Sequence, residues 1–100
     1  MIYCFDIDGT LCSNTFGEYE KAKPIKNRIE YVNELYDQGH VIKLLTARGS
    51  TTKIDWRKLT ESQLIDWGVK YTTLMLGKPE ADIYIDDKGL SDKEFFKDSL

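Results

Sequence analysis

Residues 5–10 read Phe-Asp-Ile-Asp-Gly-Thr, two aspartates one residue apart at the end of the most apolar stretch of the N-terminus. Further polar residues follow other apolar runs: Thr46 after VIKLL, Lys78 within GKPEAD, and Asp86-Asp87 after DIYI. Each has a plain reading alone. Asp-Gly is an ordinary turn signal, Thr46 a β-former, Lys78 a solvated charge and Asp86-Asp87 a loop. Together they ask for a different account, because clustered carboxylates without a cation repel and must raise their pKa values or destabilise the site. A divalent ion resolves the conflict, and an all-oxygen donor set points to Mg²⁺ rather than zinc.

Such convergence requires elements that bring distant residues to one place. Residues 2–7 (IYCFDI) form a nearly continuous apolar, aromatic and β-branched run, the pattern of a strand buried in a parallel sheet. Residues 11–23 have no clean period and read as a loop or small hairpin flap. Pro24 stands at a first helical position, Ile25, Ile29, Val32, Leu35 and Tyr36 follow at helical spacing, and Gly39 suits a C-terminal stop. The pattern predicts a helix over 24–38. VIKLLT (41–46) predicts a second strand. TESQLIDWG (60–68) predicts a helix opened by a capping box of Thr60 and Gln63. YTTLML (71–76) and DIYID (82–86) predict a third and a fourth strand, and the tail from Ser91 a short helix around Phe95 and Phe96. The order βαβαββα argues for an α/β fold, a three-layer, doubly wound, mostly parallel sheet with helices on both faces. Ligands of such sheets bind outside the carboxyl ends of the strands, where these polar residues fall.

Composition sets outer bounds. One hundred residues suit a single domain, 1–100, and 41% apolar with 31% charged residues is an ordinary globular balance. No apolar run approaches the ~20 residues of a membrane span. A basic segment followed by a long apolar core is absent from the N-terminus, which argues against a secretory signal. Cys4 and Cys12 make no disulfide framework or metal spacing and fit the reduced cytosol, so a cytoplasmic protein is expected. The formal charge of −3 weighs against a nucleic-acid partner.

Four segments, Asp6-Ile7-Asp8-Gly9-Thr10, Leu44-Leu45-Thr46-Ala47-Arg48-Gly49, Gly77-Lys78-Pro79 and Ile85-Asp86-Asp87, resemble in order the four motifs of the haloacid dehalogenase (HAD) superfamily. The resemblance runs from residue 1 to about 90 and is closest to small phosphatases found beside or fused to enzymes of surface-polysaccharide biosynthesis. It implies a Rossmann-like HAD core, with Asp6 the nucleophile that forms an aspartyl-phosphate and Asp8 the general acid and base. It further implies that Asp6, the Asp8 backbone carbonyl and Asp86 hold Mg²⁺, with Asp87 either a direct ligand or one held behind it. Thr46, with Ala47 beside it, would bind phosphoryl oxygens through hydroxyl and backbone N–H, and Lys78 would add positive charge beside Asp6. Having Asp8 at the second position favours phosphatases and phosphotransferases over transport ATPases.

Other residues stay open in the sequence. Cys4 lies inside a strand and Cys12 has no His nearby, so neither is a good nucleophile. Arg48 either grips substrate or forms a salt bridge. Glu18, Tyr19 and Lys21 lie in the flap, either against the leaving group or in solvent. His40 reads as a loop residue, and Trp56 and Trp67 as core. About 16 residues separate the first strand from the first helix and about five separate the third strand from the fourth. Neither gap holds a cap domain, so the chain looks like a capless member. A missing cap leaves the catalytic edge open, and the resemblance then implies a homo-oligomer whose subunits cover each other's sites, the alternative being a monomer whose macromolecular substrate covers the site. The expected activity is a Mg²⁺-dependent phosphomonoesterase on a small sugar or polyol phosphate. The alternatives are a phosphatase of a nucleic-acid end or phosphoprotein, and a catalytically idle binding module.

Overall fold

A computed structural model describes residues 1–98. Three parallel strands, β1 (Ile2–Phe5), β2 (Val41–Thr46) and β3 (Thr73–Leu76), form one sheet in the order β1-β2-β3. Helix α1 (Lys26–Asp37) links the first two strands, α2 (Arg57–Asp66) links the second and third, and α3 (Asp92–Phe96) closes the described chain. Tyr3 pairs with Ile42, and Phe5 with Leu44, which in turn pairs with Leu74, so these residues share one face. Ile29, Val32 and Leu35 of α1 and Leu64 of α2 join Phe5, Ile42 and Leu44 in a single core, with Phe95 and Phe96 of α3 packed against it. Right-handed crossovers between strands that follow one another in space put both linking helices on the same side. On the opposite face Ile2 and Cys4 are exposed, and Met75 is 37% exposed.

The fold is therefore a small α/β unit with a parallel three-stranded sheet, consistent with a Rossmann-like core. The expectation of a doubly wound, three-layer sheet is corrected for the described residues, where helices cover one face. A second helical layer requires the chain to reverse beyond β1, and the 82–86 run, expected as a fourth strand, pairs with nothing here. No helix of the described residues is long and apolar enough to cross a membrane.

The individual elements follow their local chemistry. Alternating apolar side chains make β2 the buried central strand over the expected 41–46. Pro24 lies outside α1, bridged to Cys12, and Ile25 caps the helix. Ser91 caps α3, its hydroxyl accepting the Glu94 N–H at 3.2 Å. Helix α2 begins at Arg57, so Thr60 and Gln63 lie within it and form no capping box. Buried Arg28 of α1 donates to Asp92 (2.7 Å), to both Asp98 oxygens (2.8 Å each) and to the Thr10 carbonyl (3.1 Å), tying α1, α3 and the Asp-Gly-Thr turn together.

Candidate active site

Past Phe5 the chain leaves β1 but keeps its alternation. Ile7 is fully buried, while Asp6 and Asp8 line a cavity of about 690 Å³ at the carboxyl edge of the sheet. Gly9 turns the chain at φ +81°, a backbone conformation that side-chain-bearing residues rarely adopt. The cavity is walled by the flap (Asn14, Phe16, Tyr19), the segment after β2 (Ala47, Arg48, Trp56) and the segment after β3 (Lys78, Glu80, Tyr84).

Asp6 and Lys78 face each other at 3.6 Å. Burial raises the Asp6 carboxyl above its ordinary value, against the pull of Lys78, and Asp8 adds a smaller rise. Lys78 is fixed from several sides. Its N–H donates to the Thr46 carbonyl (3.1 Å), its carbonyl accepts the Ser50 hydroxyl (2.6 Å), and its ammonium lies 4.4 Å from the Tyr84 ring centre. Asp6, Asp8, Ala47 and Lys78 are thus brought together as expected. Thr46 ends β2 as predicted but is 1% exposed, and its Oγ1 accepts the Arg48 N–H at 3.2 Å, so Ala47 lines the cavity in its place.

Arg48 is the residue the sequence left undecided, and here it is a salt bridge. Its Nε and Nη2 donate to the two Asp8 oxygens at 2.9 Å each, a bidentate pair. Nη1 donates to Thr60 (3.1 Å) and Gln63 (2.6 Å), and the Tyr19 ring stacks over the guanidinium at 4.7 Å. The Gln63 amide also donates to the Tyr19 carbonyl at 2.6 Å, tying the flap to α2. Trp56 meets Tyr19 edge to face at 5.0 Å rather than entering the core. Thr60, Gln63 and Trp56 are site-supporting residues that sequence reasoning missed. Their signal was present, since polar residues at i and i+3 on the apolar side of a helix ask for a buried partner. Glu18 pairs with Lys21 at 3.1 Å on the surface, away from the cavity lining. Gly49 is required as glycine: at φ +82° an added Cβ would fall 2.2 Å from the Ile54 carbonyl oxygen.

The expected metal set is not assembled among the described residues. Among the described residues no three His, Cys, Asp or Glu side chains come together to hold a metal. Asp86 and Asp87 are exposed and absent from the cavity lining. Of the expected set only Asp6 and Asp8 lie at the cavity, one facing Lys78 and the other paired with Arg48. The motif order placed Asp86 at the end of a fourth strand, and without that strand it stays outside. Cys12 is buried, and burial followed by the nearby Asp8 pushes its thiol up to about 12, in keeping with a structural role.

No protein-family model matches this chain, and no curated protein does. Solved structures do. A crystal structure of an MCSG target from Vibrio cholerae is similar over 99% of this chain and 89% of that one, with 27% identity and a TM-score of 0.86. A chain of the Pnkp1/Rnl/Hen1 complex is similar over 99% of this chain, with 23% identity and a TM-score of 0.60. A chain of the Pnkp1/Rnl/Hen1 RNA repair complex is similar over 96%, with 19% identity and a TM-score of 0.59. The chain spans 34% and 29% of those two, and at such identities the likeness is one of fold. A fold similar to that of this chain thus makes up part of two larger chains.

Proposed function

We propose that the chain is a HAD-like phosphatase that cleaves phosphate monoesters through an aspartyl-phosphate on Asp6. The observation that carries this reading is the Asp6–Lys78 pair at 3.6 Å inside the cavity, with Asp8 on the same side two residues on. An Asp6 oxygen attacks phosphorus, the bond from phosphorus to the alcohol oxygen breaks, and protonated Asp8 gives its proton to that oxygen. Water then attacks the phosphorus of the acyl phosphate, Asp8 takes the water's proton, and inorganic phosphate and the Asp6 carboxylate are regenerated. Lys78 offsets the charge that gathers on the phosphoryl oxygens, with the backbone of Ala47 beside them. Arg48 holds both Asp8 oxygens and so fixes where that carboxyl group sits.

Mg²⁺ is the ion the motif resemblance names. No step above is routed through it, since the described residues bring no three metal-ligating side chains together. The cavity suits a small sugar or polyol phosphate held by polar residues of both rims. A second reading, removal of phosphate from a nucleic-acid end, is favoured by the likeness to chains of an RNA repair complex and by the aromatic rim of Phe16, Tyr19, Trp56 and Tyr84, on which bases stack. The net charge of −3 opposes it.

Hydrolysis of p-nitrophenyl phosphate with Mg²⁺, and its loss in Asp6→Asn, tests the chemistry. We expect a loss of at least about 10³-fold, the scale seen when a covalent nucleophile is removed. Undiminished turnover in Asp6→Asn refutes the assignment. A panel of sugar phosphates against 3′- and 5′-phosphorylated oligonucleotides ranks the two substrate readings.

A further inference from the structure

Residues 82–86 have the make-up of a buried strand and none of its surroundings. Every residue from Pro79 to Leu90 is exposed, with Ile83 at 75% and Ile85 at 93%. Across the molecule β1 has β2 as its one strand neighbour among the described residues, so its outer edge offers unpaired backbone groups. Between the two lies a site where, among the described residues, no third carboxylate comes close enough to Asp6 and Asp8 to hold a metal with them. One event meets all three needs: a parallel strand 82–86 on the outer edge of β1, with Asp86 alongside Asp6.

The chain's own segment cannot supply it while Lys78 stays in place. The Lys78 N–H is bonded to Thr46 at 3.1 Å, which holds the chain in line with β3, two strands from β1. Reaching the outer edge of β1 means crossing three strand spacings, about 14 Å. Leu76 pairs with Thr46, and Leu44 with Phe5, so Lys78 is at least level with Ile7. Setting Asp86 beside Asp6 puts Asp82 level with Ile2, a retreat of at least five residues, about 16 Å along the strand. The path is about 21 Å, and the four residues from Lys78 to Asp82 span at most about 14 Å. An antiparallel strand would avoid the retreat but carry Asp86 to the opposite edge of the sheet.

We propose that two copies of this chain exchange their 82–86 segments, each pairing with β1 of the other, so that Asp6 and Asp8 of one copy share a site with Asp86 of its partner. In this register Ile83 and Ile85 fall beside Tyr3 and Phe5 on the helix-covered face, and Tyr84 falls beside Cys4 on the bare one. A short connection that cannot close onto its own domain is the situation that produces exchange, and a two-fold dimer makes the exchange reciprocal. The ring of Tyr84 leaves Lys78 when the strand pairs. The part given to Asp86 rests on the phosphatase reading; the exchange itself does not.

Tyr84→Cys tests the pairing directly, since adjacent strand positions are within disulfide reach and Cys4 is free and exposed. After mild oxidation we expect a covalent dimer on non-reducing electrophoresis that disappears when Cys4→Ser is added, with dimeric mass for the wild type by light scattering. An internal disulfide in a monomer, or no disulfide, overturns the exchange. For the shared site, Asp6→Asn and Asp86→Asn chains are co-expressed and the mixture assayed. Each variant alone is inactive, and random pairing leaves one intact site in half the dimers, so about a quarter of wild-type activity should return. No recovery against an active wild type overturns the shared site. An inactive wild type that still gives the disulfide dimer refutes the phosphatase reading and leaves the exchange standing.

Discussion

Burial holds the Asp6 carboxyl above its ordinary range although Lys78 pulls it down, so the folded chain carries this anion at a cost. The folded state then binds the Asp6 proton more tightly than the unfolded chain does. Its contribution to stability is present below the unfolded value near 3.8 and is lost as pH rises through the higher folded value. Asp6→Asn removes that loss. We expect its melting temperature to match the wild type near pH 3.5 and exceed it at pH 7, measured by thermal unfolding without divalent ions. A lower melting temperature at pH 7 would contradict the account. Arg48 acts at the same scale as a positioning residue. Its guanidinium bridges both Asp8 oxygens, and an ammonium cannot span them along with Thr60 and Gln63. We therefore expect Arg48→Lys to lower kcat by roughly 10²-fold with KM little changed, because a misplaced acid slows chemistry more than binding. A change confined to KM would make Arg48 a substrate contact instead. Cys12, pushed up to about 12, should resist alkylation at pH 8 in the native protein and react fully in denaturant, read by peptide mass spectrometry.

At the scale of elements, the strands and helices were legible where one local pattern decided them. VIKLLT reads as a strand because five of its six residues are apolar or β-branched, and it is the central strand over that same span. Ser91 caps the last helix as a side-chain oxygen ahead of a helix should. Thr60 and Gln63 matched a helix start, but their partner is Arg48, twelve and fifteen residues away, and a local motif cannot reveal a distant guanidinium. Arg28 escaped for the same reason. DIYID has every local mark of a strand, yet a strand exists only where an edge meets it, and that depends on the reach of the connection before it. Arg28 also carries the clearest stability prediction. It is buried and bonded to Asp92, Asp98 and Thr10, so Arg28→Met leaves two aspartates facing an apolar stub. We expect a loss of about 3 kcal/mol by denaturant unfolding, the low end for breaking a buried pair because Asp92 is partly solvated. A loss under about 0.5 kcal/mol, the scale of an exposed pair, would mean the clamp is not closed in solution.

For the whole molecule, an α/β sheet that ends its strands in Asp6, Asp8 and Thr46 gathers chemistry at one edge, and a flap of about a dozen residues does little to keep water from it. The segments that wall the cavity, the flap and the turns after β2 and β3, are joined through Arg48, Gln63 and Lys78, so the site is held by cross-links between loops rather than by a lid. On the proposed phosphatase reading such a site would fix a small phosphate ester, and its open rim would admit larger ones. All of this rests on Asp6 as the atom that meets phosphorus. The most direct measurement is an acid quench of the wild type turning over p-nitrophenyl phosphate with Mg²⁺, followed by mass spectrometry of its peptides. We expect a phosphoryl group on the Asp6 side chain, removed by hydroxylamine and absent from Asp6→Asn. Steady turnover with no phosphoryl group on Asp6, or with the group on another residue, would contradict it.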